Sequence, residues 1–400
     1  MRKVSLTDVC AIKNGYAFKS SEFKDSGTPL IRISSFNNGP VYFDDRTVYV
    51  ENEYLESKSA FKVEKGDVLI ALSGATTGKY GLYTHDKPSL LNQRVGLLKS
   101  GVSQDLDDKY FYFYLSVLQA EIFRKAGGAA QPNISTKEIS EFKIPLPPLE
   151  QQKKIAAILD AADTYRQKTK ALITKYDELT QSLFLDMFGD TVSNPKGWET
   201  KTIEQLVKKQ KYSLKRGPFG GALKKEIFVK DGYLVYEQYH ALNNDFSMAR
   251  YFIDEKKYKE LIGFAVNPKD IIISCSGVYL GKLAIIPENA REGIINQALL
   301  KVTLDESKVR NDFFVFHFTQ QNFKQKYFDS NRGAGVPNFP PMKVFKQFPF
   351  ISPPIELQNK FAERIQAIEV QKTQAQDSLA QAEDLFNSLL QRAFKGELTS

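Results

Sequence analysis

"IPLPPLEQQKKIAAI", residues 144–158, returns as "FISPPIELQNKFAERI", residues 350–365. Pro147, Pro148, Glu150 and Gln152 become Pro353, Pro354, Glu356 and Gln358 at one constant offset of 206, which also carries Leu183 onto Leu389 and Phe188 onto Phe394. About 40 residues align without a gap, which a chance Pro-Pro match would not do. The chain therefore carries an internal duplication.

Each copy opens a long periodic run. In the first, Ile155, Ala162, Thr169, Tyr176 and Leu183 recur every seven residues, with Ile158, Tyr165, Leu172 and Leu179 three positions later. In the second, Phe361, Ile368, Ala375, Ala382 and Leu389 form the row, joined by Ile365, Leu379 and Phe386. This is the pattern of a heptad seam. No Pro or Gly interrupts either run, the Pro pairs stand ahead of each start, and Gly189 and Gly396 follow the ends. The spacing predicts two helices of about 40 residues, roughly 60 Å long and far longer than ordinary core helices. If their apolar seams pack together they run antiparallel, and the two halves of the chain become related by a pseudo-twofold axis.

The duplication reaches beyond the helices. "GDVLIALSGATTGKYGLY" (66–83) corresponds to "KDIIISCSGVYLGKLAII" (269–286), "LLNQRVGLLK" (90–99) to "IINQALLKV" (294–302), and "QPNI" (131–134) to "VPNF" (336–339), at offsets of 203, 204 and 205. Slowly rising offsets mean single-residue loop insertions. The repeated unit is a globular domain followed by a long helix, giving domains at 1–145 and 191–351 and helices within 146–190 and 352–400. Each globular part has short apolar runs separated by Gly, Asn and Pro turns. Each also has one helix, "DDKYFYFYLSVLQAEIFRKAG" or "RNDFFVFHFTQQNFKQKYF". The expected class is α+β, with two mainly-β domains separated by an antiparallel coiled coil.

Composition sets outer limits. The 400 residues, 42% hydrophobic and 26% charged, suffice for two globular domains. No run of 18 apolar residues suggests a membrane span, and "MRKVSLTDVC" lacks the apolar core of a signal peptide. Two cysteines cannot form a disulfide framework; without CxxC spacing, and with three His, they argue against structural zinc. A reducing cytoplasm fits. The formal charge is +8, and its distribution says more than its size. Residues 150–189 hold six basic and six acidic side chains and 356–395 five and six, a net −1, so the rest carries +9. A basic excess confined to the globular parts points to a polyanionic partner such as nucleic acid.

With the alternation of domain and helix, the "SGATTGK" and "SGVYLGK" loops, "NQ" in both copies and the "IPLPPLEQQ" and "ISPPIELQ" helix entries, the chain resembles, over essentially all its length, the DNA-specificity subunits of Type I restriction–modification systems. The second entry departs from the I-P-L-P-P form, having Phe350, Ile351 and Ser352 before its prolines. The resemblance implies that each globular part is a target recognition domain reading half of a bipartite, asymmetric double-stranded DNA target. The helices would set the spacer between the halves and dock partners. The implied partners are two methyltransferase subunits that bind S-adenosylmethionine, and restriction/translocase subunits that use ATP and Mg. The implied chain is itself non-catalytic and carries no cofactor.

Candidate contacts fall into two classes. Lys79 and Lys282, each after a glycine in a loop, suit phosphate contacts, as do Arg124, Lys125 and Arg332 in the glycine-rich "RKAGGAAQPN" and "SNRGAGVPN" stretches. Arg32, Gln93, Arg94 and Gln297, with Thr76, Thr77 and Tyr279, could reach base edges, since Arg pairs with guanine and Gln with adenine. Asn92 and Asn296 recur in both copies, which suits a shared structural turn.

Enzyme readings find little support. "GATTGKY" has three residues between its glycines and Tyr after Lys, where a phosphate loop needs four and Ser/Thr. "NFPP" at 338–341 has the wrong order for an adenine methyltransferase tetrad, and "EFK" at 141–143 lacks a preceding acidic partner for a nuclease. The competing readings are a stand-alone methyltransferase or restriction enzyme, and a coiled-coil scaffold that binds no DNA.

Overall fold

A computed structural model describes residues 2–99, 103–126, 132–328 and 339–398. It divides into two units, Met1–Ala171 with Gln376–Ser400, and Leu172–Ala375.

In the first unit the apolar run at 68–72 decides the layering. Val68–Ala71 is the third strand of a five-stranded sheet ordered Ala11–Asn14, Val95–Lys99, Val68–Ala71, Tyr80–Leu82, Gly39–Pro40. Successive side chains of a strand point to opposite faces. Val68, Ile70 and Leu72 accordingly pack under helix Asp108–Ala126 with Tyr110, Phe111 and Leu115. Leu69 and Ala71 face Ile31, Val63, Tyr83 and Leu91. That second layer is a four-stranded sheet, Val48–Val50, Thr28–Ile31, Ser89–Leu91, Lys62–Val63. Covered on both sides, the strand reads as continuous hydrophobicity without alternation. A ribbon of Lys3–Ser5 paired antiparallel with Lys143–Pro145 closes the domain.

The second unit repeats this order. One sheet runs Leu214–Arg216, Leu299–Val302, Ile271–Ser274, Leu283–Ile285; the other runs Phe252–Ile253, Tyr233–Tyr236, Gly293–Ile295, Ala265–Val266. Thr200–Thr202 pairs with Pro349–Ile351 as the closing ribbon. In both units one pair in the second sheet is parallel, Thr28–Ile31 with Ser89–Leu91 and Tyr233–Tyr236 with Gly293–Ile295. One expectation changes. The single helix over 310–328 is two, Asn311–Thr319 and Gln321–Phe328, because Gln320 takes extended backbone angles (φ −56°, ψ 132°). Its side-chain amide donates to the carbonyl of Phe316 at 3.0 Å, capping a helix end, and its oxygen accepts from Gln181 at 2.6 Å.

The long helices are Leu149–Phe188 and Ile355–Lys395. Each starts just after its Pro pair, and Gly189 and Gly396 follow with φ of +80° and +87°, the left-handed close of a helix that favours glycine. Within each unit their segments run antiparallel. In the first, Lys170 pairs with Glu383 at 2.9 Å and the Arg166 guanidinium lies over the Phe386 ring at 4.4 Å. In the second, Asp177 pairs with Lys372 at 2.5 Å while Phe188 meets Phe361 with ring centroids 5.2 Å apart.

The first helix buries a different second row from the one its periodicity suggests. Beside Ile155, Ala162, Thr169, Tyr176 and Leu183, the inward positions are Leu159, Arg166, Ile173, Thr180 and Met187, four residues later. Ile158, Tyr165, Leu172 and Leu179 are instead 38, 54, 43 and 50% exposed. The inward row holds two polar residues that hydropathy passes over; each has a partner within one turn, while the Arg166 Nε is buried without one among the described residues. Arg166 bonds Asp163 at 2.5 Å, and the Thr180 hydroxyl donates to the Tyr176 carbonyl at 3.0 Å. On the second helix Phe361, Ile365, Ala375, Ala382 and Phe386 are buried, with Ile368, Leu379 and Leu389 partly so.

Candidate nucleic-acid interface

Strand register brings four loops of the first unit to one sheet end. Ala71 pairs with Val95 and Asn14 with Gly96, so the segments beginning at Gly15, Leu72 and Asn92 meet there. The Asn92 amide donates to the Ile31 carbonyl at 3.1 Å, which adds the segment beginning at Arg32. The second unit assembles Gly217, Cys275, Asn296 and Glu237 in the same way: Ser274 pairs with Leu299, and the Asn296 amide donates to the Tyr236 carbonyl at 2.9 Å.

The recurring asparagines build the turn at the centre of this end. The side-chain oxygen of Asn92 accepts the Arg94 amide at 3.3 Å, and that of Asn296 accepts the Ala298 amide at 3.0 Å. Such Asx turns hold the following residue outward. A glycine seals each from the side. A Cβ on Gly15 would stand 2.1 Å from the Asn92 carbonyl oxygen, and one on Gly217 would stand 1.8 Å from that of Asn296. Only glycine permits that approach. Gln93, Arg94 and Gln297 are thereby presented exposed.

Lys79 and Lys282 close the next loop. The Lys79 amide donates to the Thr76 carbonyl at 2.9 Å and the Lys282 amide to the Tyr279 carbonyl at 3.1 Å, after Gly78 and Gly281 with φ of +82° and +73°. Neither ammonium has an acidic partner among the described residues. Tyr279 is 52% exposed. Thr77 is not available: it is 2% exposed, and its hydroxyl is committed to the carbonyls of Gly74 and Pro132 at 2.7 and 2.9 Å. The Thr76 hydroxyl is likewise shielded, buried without a partner among the described residues. These threonines build the loop and do not project from it, which corrects their assignment to base edges.

Arg32 is exposed, with its guanidinium 6.0 Å from the Phe23 ring. Arg124 and Lys125 end the helix whose Ile122 packs on the Gly78 position, near Lys79. Lys125 is partly engaged, over the Phe142 ring at 5.3 Å and 3.9 Å from Glu141, whereas Arg124 is exposed. Arg332 lies outside the described residues.

Three residues at or beside this end were not singled out from sequence. Lys324 lies beside Gly281, and burial, with the Lys282 charge second, holds its ammonium below the usual lysine range. Two close cations without an acid suit an anionic ligand. Glu237 occupies the position equivalent to Arg32, and Phe219, on the Gly217 loop, is 95% exposed. A second copy whose offset shifts by several residues hides these equivalences until the strand register is known.

Among the described residues no group of three or more His, Cys, Asp or Glu could hold a metal ion, and no helix is long and apolar enough to cross a membrane. Cys10 and Cys275 are buried, and burial pushes both thiols up to about 12, far from reactive thiolates.

Comparison with known proteins gives a consistent picture. A family model described as the Type I restriction modification DNA specificity domain matches residues 1–179 and again 195–381. The EcoBI specificity subunit of Escherichia coli is 24% identical over 439 aligned positions, covering 100% of this chain and 86% of that protein. The MjaVIII specificity subunit of Methanocaldococcus jannaschii is 33% identical over 196 residues, 46% of this chain and 44% of that protein, so the match spans less than half of that relative. Two solved structures share the fold. The S subunit of a Type I system from M. genitalium has a TM-score of 0.52 at 18% identity, covering 98% of this chain and 96% of its own. A chain from a study of complex assembly and conformational transition in the type I system has a TM-score of 0.62 at 15% identity, covering 99% and 98%.

Proposed function

The chain belongs to the family of Type I restriction–modification DNA specificity subunits and recognises DNA sequence; from that premise we propose that each unit reads one half of a bipartite, asymmetric duplex target. The observation that carries this reading is the duplicated sheet end, where equivalent backbone turns present different side chains. Arg94 in one unit is Ala298 in the other, and the exposed Tyr279 of the second unit stands where the first has Thr76, which does not project. Shared scaffolding with divergent tips gives two half-sites of unlike sequence. Lys79, Lys282, Lys324 and Arg124 serve the phosphates, which position the protein without reading bases. Arg32 and Arg94 supply the forked donors that match the two acceptors of guanine, and each such pair discriminates by about 1–3 kcal/mol.

The long helices fix the separation of the half-sites and dock partners. Supporting the second role, Ile158 and Tyr165 in the first unit and Leu172, Leu179 and Leu185 in the second leave apolar side chains exposed along the first helix. The partners are two methyltransferase subunits, which bring S-adenosylmethionine, and restriction subunits, which bring ATP and Mg. This chain directs chemistry done by others.

The test is to reconstitute the chain with its modification subunits and map methylated adenines on genomic DNA. The expected result is two short specified blocks flanking an unspecified spacer of constant length. One contiguous block, or methylation without sequence preference, would overturn the reading.

A further inference from the structure

Phe219 is left 95% exposed by the fold, on a loop that is longer than its counterpart in the first unit. The two copies are offset by 202 at Gly15 and Gly217 but by 205 at the short turns Ser20–Glu22 and Lys225–Ile227, so three extra residues enter the second unit between these points. Phe219 lies in the segment that takes up the insertion and is followed by Gly220 and Gly221. A large apolar side chain held in water by a lengthened loop gains nothing from the fold that carries it, and at the sheet end assigned above to DNA it is placed for an apolar contact with a base.

The base of the loop is fixed. Gly217 packs on the Asn296 carbonyl, and its amide donates to the Leu299 carbonyl at 2.8 Å. Phe219 thus stands two residues from an anchored point at the same sheet end as exposed Gln297 and Tyr279. Around it the charges of the second unit are rearranged, with Arg216 standing where the first unit has Asn14. Arg94 is replaced by Ala298, and Arg32 by the half-buried Glu237, which begins the helix Gln238–Asn243. A carboxylate facing the O6 and N7 acceptors of guanine is repelled, while an apolar group suits the 5-methyl of thymine.

We propose that the second unit reads thymine, with Phe219 packed against the 5-methyl group of a thymine in the major groove of its half-site. This rests on the recognition role above and names the base chemistry of one half. Glu237, an acceptor, disfavours guanine on the strand it faces and suits the N4 amino group of cytosine at a neighbouring position.

The experiment selects duplexes from a random pool with the full-length chain, then replaces each thymine of the selected sequence singly by deoxyuridine, which removes only the methyl. For the unmodified protein one replacement lowers affinity about 4-fold, the value of roughly 0.8 kcal/mol for one buried methyl-sized group. The Phe219→Ala variant binds the thymine and deoxyuridine duplexes alike, and Phe219→Leu recovers part of the difference. The proposal is overturned if every replacement costs Phe219→Ala as much as the unmodified chain, or if the half-site lost in Phe219→Ala contains no thymine. If the unmodified chain selects no common sequence, the recognition role itself fails, and this proposal with it.

Discussion

The side-chain oxygen of Gln152 accepts the backbone amide of Asp107 at 2.9 Å, while its nitrogen donates to the carbonyls of Asp105 and Pro147 at 2.7 and 2.8 Å. Gln358 does the same in the second unit, accepting from the Arg310 amide at 2.9 Å and donating to the carbonyls of Lys308 and Pro353 at 3.3 and 2.8 Å. Both are fully buried. The repeated motif is therefore a staple: one amide joins the first turn of each long helix to the start of the domain helix.

Gln152→Ala leaves a buried amide and two carbonyls without their partner. The expected loss is about 2–3 kcal/mol of stability, read as a lowered urea midpoint, with Gln358→Ala doing the same to the second unit. Gln152→Glu, which keeps the acceptor but loses both donated bonds and buries a charge, should be no milder. A midpoint unchanged in all three would show that the staple is dispensable.

His317 gives a pH dependence. It is fully buried, its Nε2 accepts the Ile351 amide at 3.2 Å, and burial holds its pKa down at about 3. The unfolded chain takes up this proton near pH 6.5 and the folded chain does not, so stability is full above that pH and is lost as pH falls. Between pH 6.5 and 5 this one group costs about 2 kcal/mol. Urea titrations at both pH values, compared with His317→Gln, should show a steeper loss in the unmodified protein; equal losses would contradict the assignment.

Lys79→Ala and Lys282→Ala should weaken binding to every duplex, specific or not, and flatten the plot of log affinity against log salt by about one unit per lost phosphate contact. A changed base preference at one position with an unchanged slope would move these lysines into the base-reading class.

The repeat, the α+β class and the helix limits were legible because proline pairs, glycines and heptads are local signals. The face of the first helix was not. Two apolar rows lie side by side on it, and periodicity cannot tell whether Ile158 or Leu159 turns inward when the true row also holds Arg166 and Thr180. Among the candidate contacts, the loop positions of Lys79, Lys282, Gln297 and Arg94 could be read from residue type and context. Thr77 was misassigned because a hydroxyl in a glycine loop looks free until its two carbonyl partners are known. Glu237 was missed because its equivalence with Arg32 rests on the pairing of Asn92 and Asn296 with neighbouring strands.

The central claim is that each unit reads its own half-site. Exchanging residues 191–351 for the corresponding domain of a relative with a different target, and mapping the sequences methylated by the reconstituted complex, tests it directly. The account predicts that one half-site changes to the relative's while the other stays as it was. If both half-sites change, or neither does, the units do not read DNA independently and the account is wrong.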